Sequence, residues 1–215
     1  MKKFLFLAMV AALVTSCEKD PDLNKLDNDL TVYTNYDNEV HFDQFTDYCL
    51  PDSILLAGSG VKAVYWKDDN AQKIISEVAA EMDSRGYHRV EKKEDADIGL
   101  QLSYAQKTTS VVGIGGGMYD WWGAGYWGPF WSDWYYPYPV SYSYDTGTLV
   151  MEMVDLTVQP EDKTQKVHLP VIWHSYASGL LFGNSHIDMQ LTLRAVDQAF
   201  KQSPYITRNL LTGNN

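Results

Sequence analysis

Hydrophobic and polar positions along the chain predict two helices and four or five strands. Leu30, Val32 and Thr34 alternate over 30–35 and read as a first strand, and Asp47–Leu50 reads as a short second one before Pro51. Asp68-Asp69-Asn70 offers cap chemistry for a helix running to about Arg85. Ala71, Ile74, Ile75, Val78, Ala79 and Met82 form its apolar stripe, and Gly86 stands where a terminating glycine belongs. After Tyr87–Val90 and a charged turn, Ile98, Leu100, Leu102 and Tyr104 alternate as a strand. Over 147–158, Leu149, Met151 and Met153 share one face, and Val150, Glu152 and Val154 share the other. A strand over 171–177 follows the charged turn 159–166 and forms a hairpin with its predecessor. A last helix is expected from Asn184-Ser185, with Met189, Leu193, Val196 and Phe200 as its stripe, ending before Pro204. This order predicts an α+β domain. Its expected form is a two-layer sandwich of one mainly antiparallel, four- to five-stranded sheet with both helices on one face.

The segment between the two central strands has no such pattern. Residues 119–144 contain 13 aromatic residues in 26 positions, among them five of the chain's seven tryptophans. Glycines at 113, 115, 116, 117, 123, 125 and 128 loosen the backbone around them. Thr108–Val112 and Ser141–Tyr144 are expected to extend the central strands as a long hairpin. The Gly- and aromatic-rich insert, about 113–146, then forms its tip or a flap folded back onto the sheet. Three readings of the rings stay open: self-packing over a sheet face, contact with a membrane interface or partner protein, and stacking on glycan faces. The candidate contact residues are Trp121, Trp122, Tyr126, Trp127, Trp131 and Trp134. Because an exposed patch of this size invites aggregation, most of the five tryptophans are expected to be at least half buried, in the domain or a dimer contact.

The N-terminus carries a separate signal. Met1-Lys2-Lys3 is basic and Phe4–Val14 is apolar. Eleven helical residues span roughly 16 Å, too little for the hydrocarbon core, so residues 1–16 read as a signal peptide. Val14-Thr15-Ser16-Cys17 resembles a lipobox, which makes Cys17 the lipidation site and the first mature residue. Residues 18–29 hold seven charged side chains and read, with Cys17, as a tether reaching roughly 20 Å. The folded domain is then 30–208, with 209–215 a tail. The expected location is the outer membrane, held through lipid on Cys17. Glu18-Lys19-Asp20 and Asp22 resemble a signal for export to its outer face, although the sequence leaves the face open.

Composition narrows the function. The chain has 215 residues and a formal charge of −11, which disfavours nucleic acid as a partner because phosphate binding needs a basic face. Its two cysteines exclude a disulfide framework, and Cys49, in an apolar strand, reads as a buried small residue. Gly123-Ala124-Gly125-Tyr126-Trp127-Gly128 matches the dinucleotide fingerprint by letter, but no strand precedes it and no helix follows. His41, His88, His168, His174 and His186 are scattered, and no protease, hydrolase or thiol-redox motif occurs. The expectation is no enzyme, no metal site and no cofactor. The partner is an envelope protein or a glycan, and a homo-oligomer is left open.

Several short motifs recur in a familiar order. They are Val32…Asn35-Tyr36-Asp37…Phe42…Phe45-Thr46-Asp47-Tyr48, then Glu81…Arg85-Gly86-Tyr87, then Ala96-Asp97-Ile98. WWGAGYWG at 121–128, Gly147-Thr148-Leu149-Val150 with Val154-Asp155, and Val171-Ile172-Trp173 complete the series. Together, over nearly all of 28–208, they resemble the bacterial lipoprotein family catalogued as domain of unknown function 4136. The turn 159–166 and Gly179–Asn184 depart from that pattern by extra residues. The resemblance implies an envelope lipoprotein with an α+β domain and transfers no catalytic residue. The resulting expectation is a non-enzymatic outer-membrane lipoprotein with a binding or structural role. The alternative is a glycan-binding or glycan-processing surface lipoprotein using the aromatic segment.

Overall fold

A computed structural model describes residues 30–57, 64–105, 109–113, 124–127, 131–144, 147–158, 167–182 and 186–208. The proposed leader, Cys17 and tether lie outside the described residues. The strands in chain order are β1 (Thr31–Tyr36), β2 (Asp47–Cys49), β3 (Ile54–Ala57), β4 (Tyr65–Trp66), β5 (His88–Val90), β6 (Ile98–Ala105), β7 (Thr109–Gly113), β8 (Trp131–Tyr135), β9 (Val140–Tyr144), β10 (Thr148–Asp155), β11 (Val167–Ser178), β12 (Leu181–Phe182) and β13 (His186–Ile187). The two long helices are α1 (Asp69–Ser84) and α2 (Met189–Gln202), and Ala124–Trp127 makes one further helical turn.

The domain is α+β, but the sheet is larger than expected and mixed. Nine strands join it, with β1-β11-β10-β6-β2-β5 as the main path and β3, β4 and β8 attached beside it. The antiparallel half, β1, β11, β10 and β6, is the part the alternation predicts. In the other half β2 runs parallel to β5 and β6, and β3 runs parallel to β6. β8 adds parallel to β11. The expected four- to five-stranded antiparallel sheet is therefore corrected. β2 lies in the expected second strand at 47–50, whereas β3, β4 and β5 have two to four residues each, too few for alternation to stand out from chance.

One face of the sheet carries both helices. Leu149, Met151 and Met153 of β10 pack there with all six stripe residues of α1 and with Ala195, Val196, Ala199 and Phe200 of α2. Asp68 caps α1 as expected, accepting from the amides of Asn70 and Ala71 at 2.9 and 3.0 Å. The start of α2 is corrected to Met189. Asp188 supplies its cap, accepting from Leu191 N at 3.0 Å, while His186–Ile187 pairs with Leu181–Phe182 instead of entering the helix. Among the described residues no helix is long and apolar enough to cross a membrane.

The other face is also buried, so the expected two-layer arrangement is incomplete. Cys49, Leu55, Ala105, Val150, Val154, Leu169 and Val171 form a second core with Trp127, Tyr136 and Tyr138 of the aromatic segment. The two expected hairpin arms pair with each other, β7 antiparallel to β9 with Thr109 opposite Tyr144 and Gly113 opposite Val140, but they form a two-stranded sheet of their own rather than part of the central one. Trp127, Tyr136 and Tyr138 of this segment return to the sheet as a cover.

Candidate functional site

The pleat explains what lies beneath that cover. Val150 and Val154 face the second core, so Glu152 between them faces it as well. In the ladders Glu152 stands opposite Gln101 of β6 on one side and His174 of β11 on the other. His174 in turn stands opposite Asn35 of β1. Four polar residues thus cross four adjacent strands in one row. Gln101, Glu152 and His174 are buried.

Each of these three is bound by a different ring of the aromatic segment. Trp127 Nε1 donates to Gln101 Oε1 at 3.2 Å. The Tyr136 hydroxyl donates to Glu152 Oε1. A hydrogen bond of 3.1 Å joins the Tyr138 hydroxyl to His174 Nδ1. Ring packing reinforces the attachment: Tyr138 stacks on the imidazole at 5.6 Å between centroids, and Tyr136 meets it edge-on at 5.8 Å. Burial pushes Glu152 up to about 7, with the Tyr136 bond pulling the other way. Burial holds His174 down to about 3. The row carries acid–base groups, and it is sealed beneath the rings that bind it.

The six predicted contact residues fare differently. Trp127 is 4% exposed and packs on the sheet, whereas its neighbour Tyr126 is 44% exposed. The Lys93 ammonium sits over the Tyr126 ring at 4.6 Å and donates to the Tyr126 carbonyl. Trp131 and Trp134 lie on β8, at the backbone positions opposite Val167 and Leu169, and their side chains are outside the described residues. Trp121 and Trp122 are outside them altogether.

Sequence reasoning missed Tyr136, Tyr138, Gln101 and Glu152 as one set. A signal was present: a lone Glu in the outward register of an otherwise apolar strand needs a partner, and the YYPYP run at 135–139 supplies hydroxyls. Cys49 is buried and reduced, in keeping with its expected small-residue role. Burial raises the pKa of its thiol above the ordinary value.

An open groove of about 440 Å³ lies at the Asn35 end of the row, between residues 35–39 and Pro137-Tyr138-Pro139. Its rings are already engaged, Tyr138 on His174 and Tyr36 on Tyr205 at 3.7 Å. Among the described residues no group of three or more His, Cys, Asp or Glu side chains stands together to hold a metal ion.

Comparison with known proteins gives one family match, "Domain of unknown function (DUF4136)", over residues 32–205. The chain is similar to the crystal structure of a DUF4136 family protein from Bacteroides thetaiotaomicron, 35% identical over 84% of this chain and 98% of that one, with a TM-score of 0.69. It also aligns with two PelC dodecamer structures from Paraburkholderia phytofirmans, at 13% and 14% identity and TM-scores of 0.41 and 0.39. Each alignment covers 84% of this chain and 99% of that one. No curated protein matches the chain.

Proposed function

The chain belongs to the DUF4136 family, and from that premise we propose that it is an envelope lipoprotein, anchored in the outer membrane through Cys17, whose domain has a binding or structural role without catalysis. The observation that carries the non-catalytic part is the sealed polar row. Glu152 and His174 are fully buried, and their hydrogen bonds go to Tyr136 and Tyr138. A general acid or base must reach the group it serves, and these two hold a cover to a sheet instead.

The anchor rests on the basic start, the apolar run Phe4–Val14 and the small residues leading into Cys17. Cys49 is buried in the domain, which leaves Cys17 as the thiol for acylation. Two or more acyl chains hold a protein stably at a bilayer. The test is metabolic labelling with a radioactive fatty acid. Label and globomycin-sensitive processing are expected in the native chain, with both lost in Cys17→Ala. Equal labelling of that variant refutes the anchor.

The glycan-binding alternative is favoured by one observation, the exposed ring of Tyr126 at the surface of the segment. NMR titration with a neutral oligosaccharide tests it: shifts confined to Tyr126 and its neighbours support a sugar contact, and an unchanged spectrum removes it.

A further inference from the structure

Glu152 and His174 are register partners on adjacent strands, both fully buried, and each is bound to a tyrosine of the same short turn. Among the described residues, the packed elements face the pair with polar and aromatic groups. β6 contributes Gln101, β1 contributes Tyr33 at 5.9 Å from the imidazole, and the segment contributes Tyr136 and Tyr138. Tyr176, also on β11, stacks on Tyr33 at 5.2 Å. Burial is the largest influence on the titration of both groups.

We propose that Glu152 and His174 form a proton-neutral latch for the aromatic segment, which closes on the sheet without net proton uptake or release across the mildly acidic range and loosens in strong acid.

The proton balance follows from burial. Exposed to water between about pH 4.5 and 6.5, the pair is a carboxylate and an imidazolium and holds one proton. Docked, it is a carboxylic acid and a neutral imidazole, and again holds one proton. The proton leaves the imidazolium nitrogen and ends on the carboxylate oxygen. The signs agree with this balance. Glu152, raised to about 7, contributes stability that is complete below its ordinary value of 4.5 and is lost as pH rises through 7. His174, lowered to about 3, contributes stability that is complete above its ordinary value of 6.5 and is lost as pH falls through 3. Between 4.5 and 6.5 the two slopes are equal and opposite. Below 4.5 only the histidine slope remains, and the cover weakens.

The test is urea denaturation of the full chain in detergent at several pH values across that window, for the native protein, Glu152→Gln and His174→Gln. Relative to the native chain, the unfolding constant of Glu152→Gln is expected to fall about tenfold for each unit of rising pH. That of His174→Gln is expected to rise about tenfold per unit. Flat ratios, or two slopes of the same sign, overturn the proposal. NMR of the native chain near pH 5.5 decides the matter without any variant. A neutral His174 ring and a protonated Glu152 carboxyl are expected, and an imidazolium or carboxylate signal from either overturns the latch.

Discussion

Gly99 of β6 lies directly beneath the indole of Trp127. A Cβ placed on Gly99 would stand 2.7 Å from Val154 Cγ2 and 2.8 Å from Trp127 Cζ3. The glycine therefore sets how closely the indole can approach the sheet, and any side chain there would have to displace Val154 or Trp127. Gly99→Ala is expected to destabilise the domain by about 1–3 kcal/mol through overpacking. Urea denaturation measures it, and a change within about 0.5 kcal/mol would rule out the close fit. Trp127→Ala opens the same space, so the double variant is expected to lose less than the sum of the two single losses.

Tyr136 supplies the hydrogen bond to Glu152 Oε1, and Glu152 Oε2 has no partner among the described residues. That bond favours the charged carboxylate, so Tyr136→Phe is expected to raise Glu152 beyond about 7. The variant loses about 1–3 kcal/mol. Its penalty is larger near pH 8, where the native carboxyl is ionised, than near pH 5. Denaturation at both pH values checks the sign, and a larger loss at pH 5 contradicts it.

Asp97, at the entrance to β6, joins distant segments. Its Oδ2 accepts from Thr46 N at 2.7 Å and Asp47 N at 3.1 Å, and its own amide donates to the Asp47 carbonyl at 2.9 Å. Asp97→Ala leaves two backbone donors without that acceptor and is expected to cost about 1–3 kcal/mol. Hydrogen exchange should show the Thr46 and Asp47 amides losing protection before the centre of β6. Unchanged protection at both amides would mean that Asp97 does not hold β2.

Gly147 enters β10 with φ +85°, and a Cβ there would stand 2.4 Å from Leu181 Cγ. Its amide donates to the Ala105 carbonyl at 2.9 Å and so joins the start of β10 to the end of β6 at the base of the aromatic segment. Gly147→Ala meets both a left-handed backbone and a clash, with an expected loss above about 1 kcal/mol. A thermal melt unchanged from the native protein would argue against this close contact.

Local chemistry was readable in the sequence by itself. Helix α1 and its Asp68 cap follow from a sixteen-residue periodic run, and the two faces of β10 follow from the pleat, because both signals lie within one element. The hairpin arms were readable for the same reason, and so was the family, whose motifs are short and ordered along the chain. Partners far apart in the chain were decided only by the tertiary structure. The parallel pairing of β2 with β5 and β6, and of β3 with β6, depends on crossovers that no alternation records. The segment's face was decided there too: Trp127 finds Gly99 and Gln101, Tyr136 finds Glu152, and Tyr138 finds His174 only after four strands have aligned. A run of aromatic residues states that much apolar surface must be covered. Only the register of the sheet, which brings a glycine and three buried polar side chains into line, determines where it goes and what holds it there.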